Sequence, residues 1–393
     1  MLSTGSQSAL SAWRNGSLPW NEALSKPASD LLEALSSTDM DIFEREVAEE
    51  ARRRCVEFTD GVQQYWNYKR ATHSTGDLDC MWSDGSTRLL DYGGDGIPLL
   101  VIPSLINRYH VLDLSCGHNF LGALIAGGYR PFVVDWGAPD KTEQAFNLSS
   151  YVVQRLEPAL DQVSQITGFS AVGVVGYCMG GMLATALTTR KPDQVAALVL
   201  LATPWNFHKG DATRLTALKA SLPQISAAVD ALGQLPVDVL QTMFSGLSPW
   251  LTIDKFRRFS HMNMNSTKAR SFVELEDWLN DGVPLVHGVA KECLNGWYGD
   301  NTPYNGAWKV GGAIVDPTTI TQPVLVAIPQ TDHIVPPESA RALAQAIPQA
   351  HAIEVQAGHI GMVAGGQAKK GLMRPMIEWL VENLPQYPNI TKS

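Results

Sequence analysis

The chain has 393 residues, of which 45% are hydrophobic and 18% are charged. This is the composition of a globular protein, and it excludes a disordered chain, a collagen and a coiled-coil fibre. The 30 basic and 39 acidic side chains give a net charge of −9 at pH 7. That charge argues against nucleic acid or an anionic membrane as the main partner.

The cysteine content predicts a reducing compartment. Five cysteines stand at positions 55, 80, 116, 178 and 293, with no Cys-x-x-Cys pair and no zinc-type spacing. A disulfide framework is not expected in so large and cysteine-poor a chain, so we predict a cytoplasmic protein with no metal site. Residues 1–20 lack the charged head and apolar core of a signal peptide, and the longest charge-free stretch, residues 162–189, is broken by glycine and polar residues. No transmembrane segment is therefore predicted.

Residues 1–87 are predicted to form an N-terminal extension, a Ser-rich arm followed by one amphipathic helix. The helix is expected to begin at Thr38, whose hydroxyl can cap it together with Asp41. Gly61 is expected to cost the helix about 1 kcal/mol relative to Ala. The apolar face has spacings of three and four residues, at Phe43, Val47, Ala51, Cys55, Phe58, Val62 and Tyr65. We expect this face to pack on the protein's own core, and docking of a partner is the second interpretation.

From residue 88 onward, short β-rich runs alternate with helical stretches. The predicted strands are 88–92, 98–104, 130–136, 171–178, 196–203, 323–330 and 351–357. The predicted helices are at about 118–127, 149–166, 179–190, 338–347 and 370–384. Several strands are nearly continuous runs of Val, Ile and Leu, which is typical of parallel strands covered on both faces. The alternation predicts the α/β class, with a mostly parallel, doubly wound sheet.

The alternation stops between residues 204 and 315, a stretch rich in Leu, Ala and Trp. An insertion between two core strands, above their C-terminal ends, is typical of a cap or lid. The predicted catalytic core is therefore residues 88–203 and 316–393, and residues 204–315 are the predicted cap. A separate domain is the alternative, but the strands on either side of the insertion need one another to complete a sheet.

The segment Gly176-Tyr177-Cys178-Met179-Gly180 lies between a predicted strand and a predicted helix. It matches the nucleophile-elbow pattern G-x-S-x-G with Cys in place of Ser. The two glycines leave room for closely packed backbone in a sharp turn, and the N-terminus of the following helix favours a thiolate. We therefore predict that Cys178 is a nucleophile, and a buried structural cysteine is the alternative.

Two further side chains complete the order of nucleophile, acid and histidine that this pattern requires. Asp332 follows the next-to-last predicted strand and His359 follows the last one, where sites in open α/β sheets lie. The sequence thus predicts a triad of Cys178, Asp332 and His359. In the other interpretations Asp332 caps the helix at 338 and His359 is a loop residue. His333 competes for the role of base, but it directly follows the acid and is poorly placed to be oriented by it.

Attack on a carbonyl requires donors for the oxygen that becomes negative. The backbone N–H of Met179 is expected to point toward that oxygen. A second donor is expected from the loop after the first long core strand, and the N–H of Leu105 or Ile106 is the candidate. Arg108 in the same loop binds a phosphate in one interpretation and simply faces solvent in the other.

Several segments in the same order resemble the polyhydroxyalkanoate synthases, and most of all their short class III catalytic subunits. They are GYCMGG, PSLINRYHVLDL, FVVDWGAPD, FVELEDW, VDPTTITQPVLVAIPQTDHIVPPESA and AGHIGMVAGGQAKK. The resemblance runs from about Pro98 to Leu384. It implies an α/β-hydrolase fold with an inserted cap, and polymerisation of 3-hydroxyacyl-CoA, above all 3-hydroxybutyryl-CoA, with release of CoA. It maps Cys178 as nucleophile, His359 as base and Asp332 as acid.

The resemblance also implies partners and a location. Synthases of this family act on 3-hydroxyacyl-CoA and a growing polyester chain at the surface of cytoplasmic granules, commonly as homodimers. Class III enzymes use a separate accessory subunit. CoA is then part of the substrate, and no cofactor is implied. Tyr177 departs from the class III pattern, which has a small or aliphatic residue there, and is more like the larger synthases.

Two other functions use the same scaffold. A thioesterase or polyester depolymerase would share the triad and admit water to the acyl-enzyme, although most hydrolases of this fold carry Ser at the elbow. A catalytically silent subunit that binds granules is the other, and an intact triad counts against it. A synthase must keep water from the acyl-enzyme, so we expect the cap to cover the site, as a unit that includes Trp250, Trp278, Trp297 and Tyr298.

Overall fold

The computed structural model describes residues 9–10, 12, 15, 17–18, 24–70, 78–114, 119–247 and 249–384. The chain divides into two compact units. The smaller unit is Met1–Ala71 with Ser248–Val273, and the larger is Thr72–Leu247 with Glu274–Ser393. Every residue predicted to take part in catalysis belongs to the larger unit. The domain boundaries predicted from the sequence, at residues 87, 203 and 315, stay predictions.

One sheet, with eight strands among the described residues, organises the larger unit in the order β1-β2-β4-β3-β5-β6-β11-β12. Its strands are β1 Asp79–Asp84, β2 Thr87–Asp91, β3 Ile97–Ile102, β4 Tyr129–Asp135, β5 Val172–Tyr177, β6 Val195–Leu201, β11 Val324–Pro329 and β12 Ala350–Val355. Pairing is parallel from β4 through to β12, and β1 and β2 are antiparallel. Two-residue strands form two small pairs: β7 Gln234–Leu235 with β8 Leu285–Val286, and β9 Lys309–Val310 with β10 Ala313–Ile314. The predicted α/β class and parallel sheet are confirmed.

Helices connect the strands of the sheet and occur in both units. In chain order they are α1 Ser25–Leu35, α2 Met40–Asn67, α3 Phe120–Ala126, α4 Leu148–Tyr151, α5 Glu157–Thr167, α6 Met179–Arg190, α7 Ala212–Leu232, α8 Val237–Leu247, α9 Pro249–Ser260, α10 Thr267–Asn280, α11 His287–Lys291, α12 Pro337–Ala346, α13 Gly361–Ala364 and α14 Arg374–Asn383. Wide π-helical turns occur at Val152–Leu156, Glu292–Gly299 and Lys369–Met373. The five helices predicted between the core strands are present, as α3, α4 with α5, α6, α12 and α14.

The alternation of side chains along β3 explains why its sequence is an unbroken apolar run. Leu100 and Ile102 belong to one buried cluster, and Leu99 and Val101 belong to another on the opposite face of the sheet. Residues of α5 and α6 fill the first cluster, and residues of α3 and α14 fill the second. Because both faces are covered, hydrophobic burial stabilises every position of the strand, and the polar residues collect at the strand ends.

Strand β1 was not predicted, and its last residue, the half-exposed Asp84, contacts a buried ion pair of Arg155 and Glu143. Arg155 is 2% exposed and donates to Asp84 Oδ2 at 2.6 Å and to Glu143 Oε1 at 3.1 Å. The same Glu143 oxygen accepts the N–H of Ser86 at 3.0 Å, in the turn between β1 and β2. The sequence of β1, DCMWSD, has neither β-branched residues nor an apolar alternation, so its pairing depends on these distant partners rather than on local propensity.

In the smaller unit, helix α2 begins at Met40, two residues later than predicted. Its N-cap is Asp39, whose carboxylate accepts the N–H groups of Asp41 and Ile42 at 2.9 and 3.2 Å, so the predicted cap at Thr38 is wrong. The carboxylate satisfies two of the free N–H groups of the first turn. The apolar face packs within the same unit, because Tyr65 lies in a cluster with Phe256 and Phe259 of α9.

Gly61 allows α2 and α9 to approach closely. A Cβ at this position would overlap the backbone carbonyl of Phe256. We therefore expect Gly61→Ala to lower the free energy of unfolding by about 1–3 kcal/mol, because overpacking outweighs the better helix propensity of Ala. Urea unfolding would measure the change.

Gly246 of α8 is the matched control. A Cβ there would meet no atom within 4 Å. Gly246→Ala should leave the stability unchanged or raise it by up to about 1 kcal/mol. A Gly61→Ala variant as stable as the original chain would contradict the close-approach argument.

Candidate active site

The turn between β5 and α6 holds Cys178 in a strained backbone conformation. Cys178 has φ 56° and ψ −124°, which a residue with a Cβ rarely adopts, and its N–H donates to Leu201 O of β6 at 2.8 Å. A Cβ on Gly176 would lie 2.5 Å from Cα of Gly181, and a Cβ on Gly180 would overlap the carbonyl of Ile102. The glycines therefore have the steric role that the sequence pattern predicts, and the side chain of Cys178 stands at the N-terminus of α6.

Asp332 and His359 come together at the ends of β11 and β12. Nδ1 of His359 and Oδ2 of Asp332 are 2.6 Å apart, and both side chains are buried. Oδ1 of Asp332 accepts the N–H groups of Ile334 and Val335 at 2.7 and 2.9 Å. These bonds fix the carboxylate, and α12 begins at Pro337 without a side-chain cap. His333 is exposed, and Asp332 is paired with His359 instead.

Tyr177, the residue before Cys178, supports the histidine. Its hydroxyl donates to the backbone carbonyl of His359 at 3.2 Å, and the two rings lie 5.3 Å apart with planes tilted by 33°. Tyr177 is 3% exposed, and burial raises the pKa of its hydroxyl well above the usual value, so it remains a donor. The sequence marked this position only as a departure from the class III pattern, and the contact with His359 was not foreseen.

The surroundings of His359 favour its protonated form. Burial alone would lower the pKa of the ring, but the negative charges of Cys178 and Asp332 and their hydrogen bonds outweigh burial and raise the pKa from 6.5 to about 10. The side chain of Cys178 is thus near enough to His359 for its charge to act on the ring. The arrangement can hold an imidazolium that Asp332 orients beside the side chain of Cys178.

The predicted oxyanion donors lie on two elements next to Cys178. Met179 is the first residue of α6 and lines the same cavity as Cys178. In the loop after β3, the N–H of Ile106 donates to Oγ of Ser104 at 3.2 Å. Ile106 lines the cavity with Cys178 and Leu105 does not, but the amide of Ile106 already has an acceptor, so both residues stay candidates for the second donor. Arg108 of the same loop pairs with Asp281 at 3.0 Å.

A cavity of about 410 Å³ opens beside Cys178. Most of its lining is apolar and comes from the segment that follows β6, including Leu218, Met243 and Tyr298. Of the four aromatic residues assigned to the predicted cap, Trp297 and Tyr298 line this cavity. Trp278 instead donates its indole N–H to Arg108 O at 2.6 Å, and Trp250 belongs to the smaller unit and is 61% exposed. A volume of this size is typical of a small-molecule site.

Two sequence-based expectations concern the cysteines and the absence of a transmembrane segment. Cys55, Cys80, Cys178 and Cys293 are free thiols, and Cys116 lies outside the described residues. Among the helices that the structure describes, none is long and apolar enough to cross a membrane. The expectation that no cofactor is required stays a prediction.

The fold and the strand-end site define the class of protein. The alpha/beta hydrolase fold family matches residues 97–365, and the chain belongs to that family. The chain is similar to the poly(3-hydroxyalkanoate) polymerase subunit PhaC of Allochromatium vinosum, at 29% identity over 73% of this chain and 81% of the relative. It is also similar to the subunit PhaC of Synechocystis sp., at 28% identity over 73% of this chain and 78% of the relative. The resemblance to the polyhydroxyalkanoate synthases is thereby confirmed.

Among solved structures, a hydrolase from Pseudomonas aeruginosa aligns with 78% of this chain and 99% of its own chain. The TM-score is 0.42 and the sequence identity is 18%.

Replacing Cys178 by Ala should lower the pKa of His359, because the charge of Cys178 is the largest contribution that raises it. NMR titration of the histidine ring would measure the shift.

Since the pKa of His359 is higher in the folded chain than in the unfolded chain, the protonated ring stabilises the fold below about pH 6.5. That contribution is lost as the pH rises through about 10.

Cys293→Ala is the matched control for this titration. It removes another thiol that lines the cavity, but Cys293 is not among the groups that raise the pKa of His359. The titration of His359 should stay unchanged in this variant. An unchanged titration in Cys178→Ala would contradict the pairing of the thiol with His359.

Proposed function

We propose that this chain is a poly(3-hydroxyalkanoate) synthase that polymerises 3-hydroxyacyl-CoA, with 3-hydroxybutyryl-CoA as the first candidate, through a covalent intermediate on Cys178. The observation that carries the proposal is a cysteine at a strained elbow beside a His359–Asp332 pair, in a chain similar to PhaC subunits. A thiol suits this substrate, because exchange between a thiol and a thioester is nearly balanced in free energy and therefore reversible. CoA is released as product, and no cofactor is proposed.

In the first step the sulfur of Cys178 attacks the thioester carbonyl. His359 holds the proton of the thiol, which its high pKa favours, and Asp332 orients the ring. A carbon–sulfur bond to Cys178 forms, the bond to CoA breaks, and the CoA sulfur takes the proton from His359. The amide of Met179 and that of Leu105 or Ile106 are proposed to hold the oxyanion, and one such donor is worth about 10²–10³ in rate.

In the second step a 3-hydroxyl group attacks the acyl-enzyme. Acylation removes the charge of the sulfur, so the largest contribution that raises the pKa of His359 disappears. The ring can then stay neutral and accept the hydroxyl proton. An ester bond forms, the bond to Cys178 breaks, and the proton passes from His359 to the sulfur. The same histidine thus serves both steps because its pKa follows the state of Cys178.

Asp332 is proposed to orient His359 rather than to activate the hydroxyl itself. Both of its oxygens are occupied, one by His359 and the other by the amides of Ile334 and Val335. Asp332 is 5% exposed, which leaves little room for a substrate hydroxyl. These contacts support a positioning role.

The apolar lining of the cavity favours transfer over hydrolysis. Most of the lining, including Leu218 and Met243, offers no strong hydrogen bond that would hold a water beside the acyl-enzyme. A synthase that carries a growing polyester would lie at the surface of a polyester granule in the cytoplasm. A homodimer and an accessory subunit stay predictions that the family resemblance implies.

The test is the product formed from 3-hydroxybutyryl-CoA by the purified chain. We expect CoA release together with insoluble polyester, and release of free 3-hydroxybutyrate without polymer would assign a thioesterase instead. Cys178→Ala should reduce CoA release by more than about a thousandfold. Cys178→Ser tests the thiol chemistry, because CoA release by this variant at the rate of the unaltered chain would refute it.

A further inference from the structure

Asn206 is a buried polar residue that lines the cavity of Cys178. It lies in the segment that follows β6 and is 4% exposed. The catalytic steps proposed above give it no role. A polar side chain in a largely apolar cavity is retained only when its hydrogen bonds are satisfied, either within the protein or by a ligand.

The hydrogen bonds of Asn206 fix which way its amide faces. Oδ1 accepts Nδ2 of Asn301 at 3.0 Å and the backbone N–H of His208 at 3.1 Å. Asn301 is 3% exposed, has φ 54°, and accepts the N–H of Phe207 at 2.9 Å, so the partner is itself held in place. Two donors on Oδ1 determine the orientation of the planar amide, with the oxygen toward Asn301.

The nitrogen of the same amide is then left for a ligand. Among the described residues, none accepts a hydrogen bond from Nδ2 of Asn206, and this atom is not one of the enclosed polar atoms that lack a partner. Nδ2 therefore borders open space, and the open space next to Asn206 is the cavity. The side chain offers two N–H donors there and needs an acceptor from the substrate.

The strand order places this donor on the side of the catalytic histidine. Strand β5 has β3 on one side and β6 on the other, followed by β11 and β12. The loop with Leu105 follows β3, so the proposed oxyanion donors lie on the first side. Asn206 follows β6, on the side where Asp332 and His359 stand. A donor in this position suits the oxygen that exchanges its proton with His359 rather than the carbonyl oxygen.

We propose that Nδ2 of Asn206 donates a hydrogen bond to the 3-hydroxyl oxygen of the hydroxyacyl unit that attacks the acyl-enzyme. This inference rests on the proposed synthase function. The amide holds the oxygen while its O–H points to His359. The oxygen then bonds to the acyl carbon, the carbon–sulfur bond breaks, and the proton moves to His359 and on to Cys178. Asn206 is thus a substrate-binding residue for chain extension, with no part in acylation.

Two substrates separate the two steps. Butyryl-CoA lacks the 3-hydroxyl, so its rapid first release of CoA reports acylation of Cys178 alone. Steady turnover of 3-hydroxybutyryl-CoA reports acylation and extension together. Asn206→Asp keeps the oxygen that Asn301 and His208 require and removes the donor. We expect Asn206→Asp to lower the steady turnover of 3-hydroxybutyryl-CoA about tenfold, which is the effect of losing one hydrogen bond. The first release of CoA from butyryl-CoA should stay within about twofold of that of the unaltered chain.

Two further variants serve as controls. Asn295→Asp makes the same chemical change at an exposed side chain that donates to Ser226 and does not line the cavity, and it should change neither rate. Asn206→Ala removes the donor without adding a charge, and it should show the same split between the two rates. Thermal unfolding of each variant reports whether the fold is retained.

The outcomes of these assays distinguish the role of Asn206 from the proposed synthase function. Equal losses in both assays, or no loss in either, would overturn the role of Asn206 and leave the synthase function intact. Free 3-hydroxybutyrate without polymer from the unaltered chain would overturn the synthase function itself, and the inference with it.

Discussion

The conformation of one residue, Cys178, constrains the rest of the site. A positive φ at a residue with a side chain costs about 1–3 kcal/mol, and the surrounding structure must hold it there. Here the hydrogen bond from Cys178 to β6 and the close approach at Gly176 and Gly180 do so. The turn aims the sulfur away from the sheet and begins α6 at Met179, so the nucleophile and one proposed oxyanion donor share a single backbone feature. The steric rules of the turn therefore select small residues on both sides of the cysteine.

The protonation states of the ionisable groups in the site are also coupled to one another. The high pKa of His359 requires the charge of Cys178 as well as that of Asp332, against the effect of burial. A group whose affinity for protons depends on the state of its neighbour can act as acid at one stage and as base at the next. In a chain with a net charge of −9, this local balance is set within the site, by the buried Asp332 and the half-buried Cys178.

The strands, and the chain order of the candidate catalytic residues, were predictable because both follow from local patterns. Runs such as that of β3 indicate burial on both faces, and the positions of Asp332 and His359 follow from strand ends. Features that depend on distant partners were missed or wrong. Strand β1 contacts Arg155, and Gly61 lies against Phe256. The cap of α2 is a local feature, and the prediction missed it by one residue, Asp39 instead of Thr38. The orientations of Tyr177 and Asn206 depend on His359 and Asn301, which lie far along the chain, so periodicity carries no signal for them.

Main-chain groups supply much of the polar framework of the site. The carboxylate of Asp332 rests on two backbone amides, and Tyr177 bonds to a backbone carbonyl of His359. Substituting the side chains of Ile334 or Val335 would leave those amides in place. The cavity lining can therefore drift in size and shape over evolutionary time while the reactive centre stays constant.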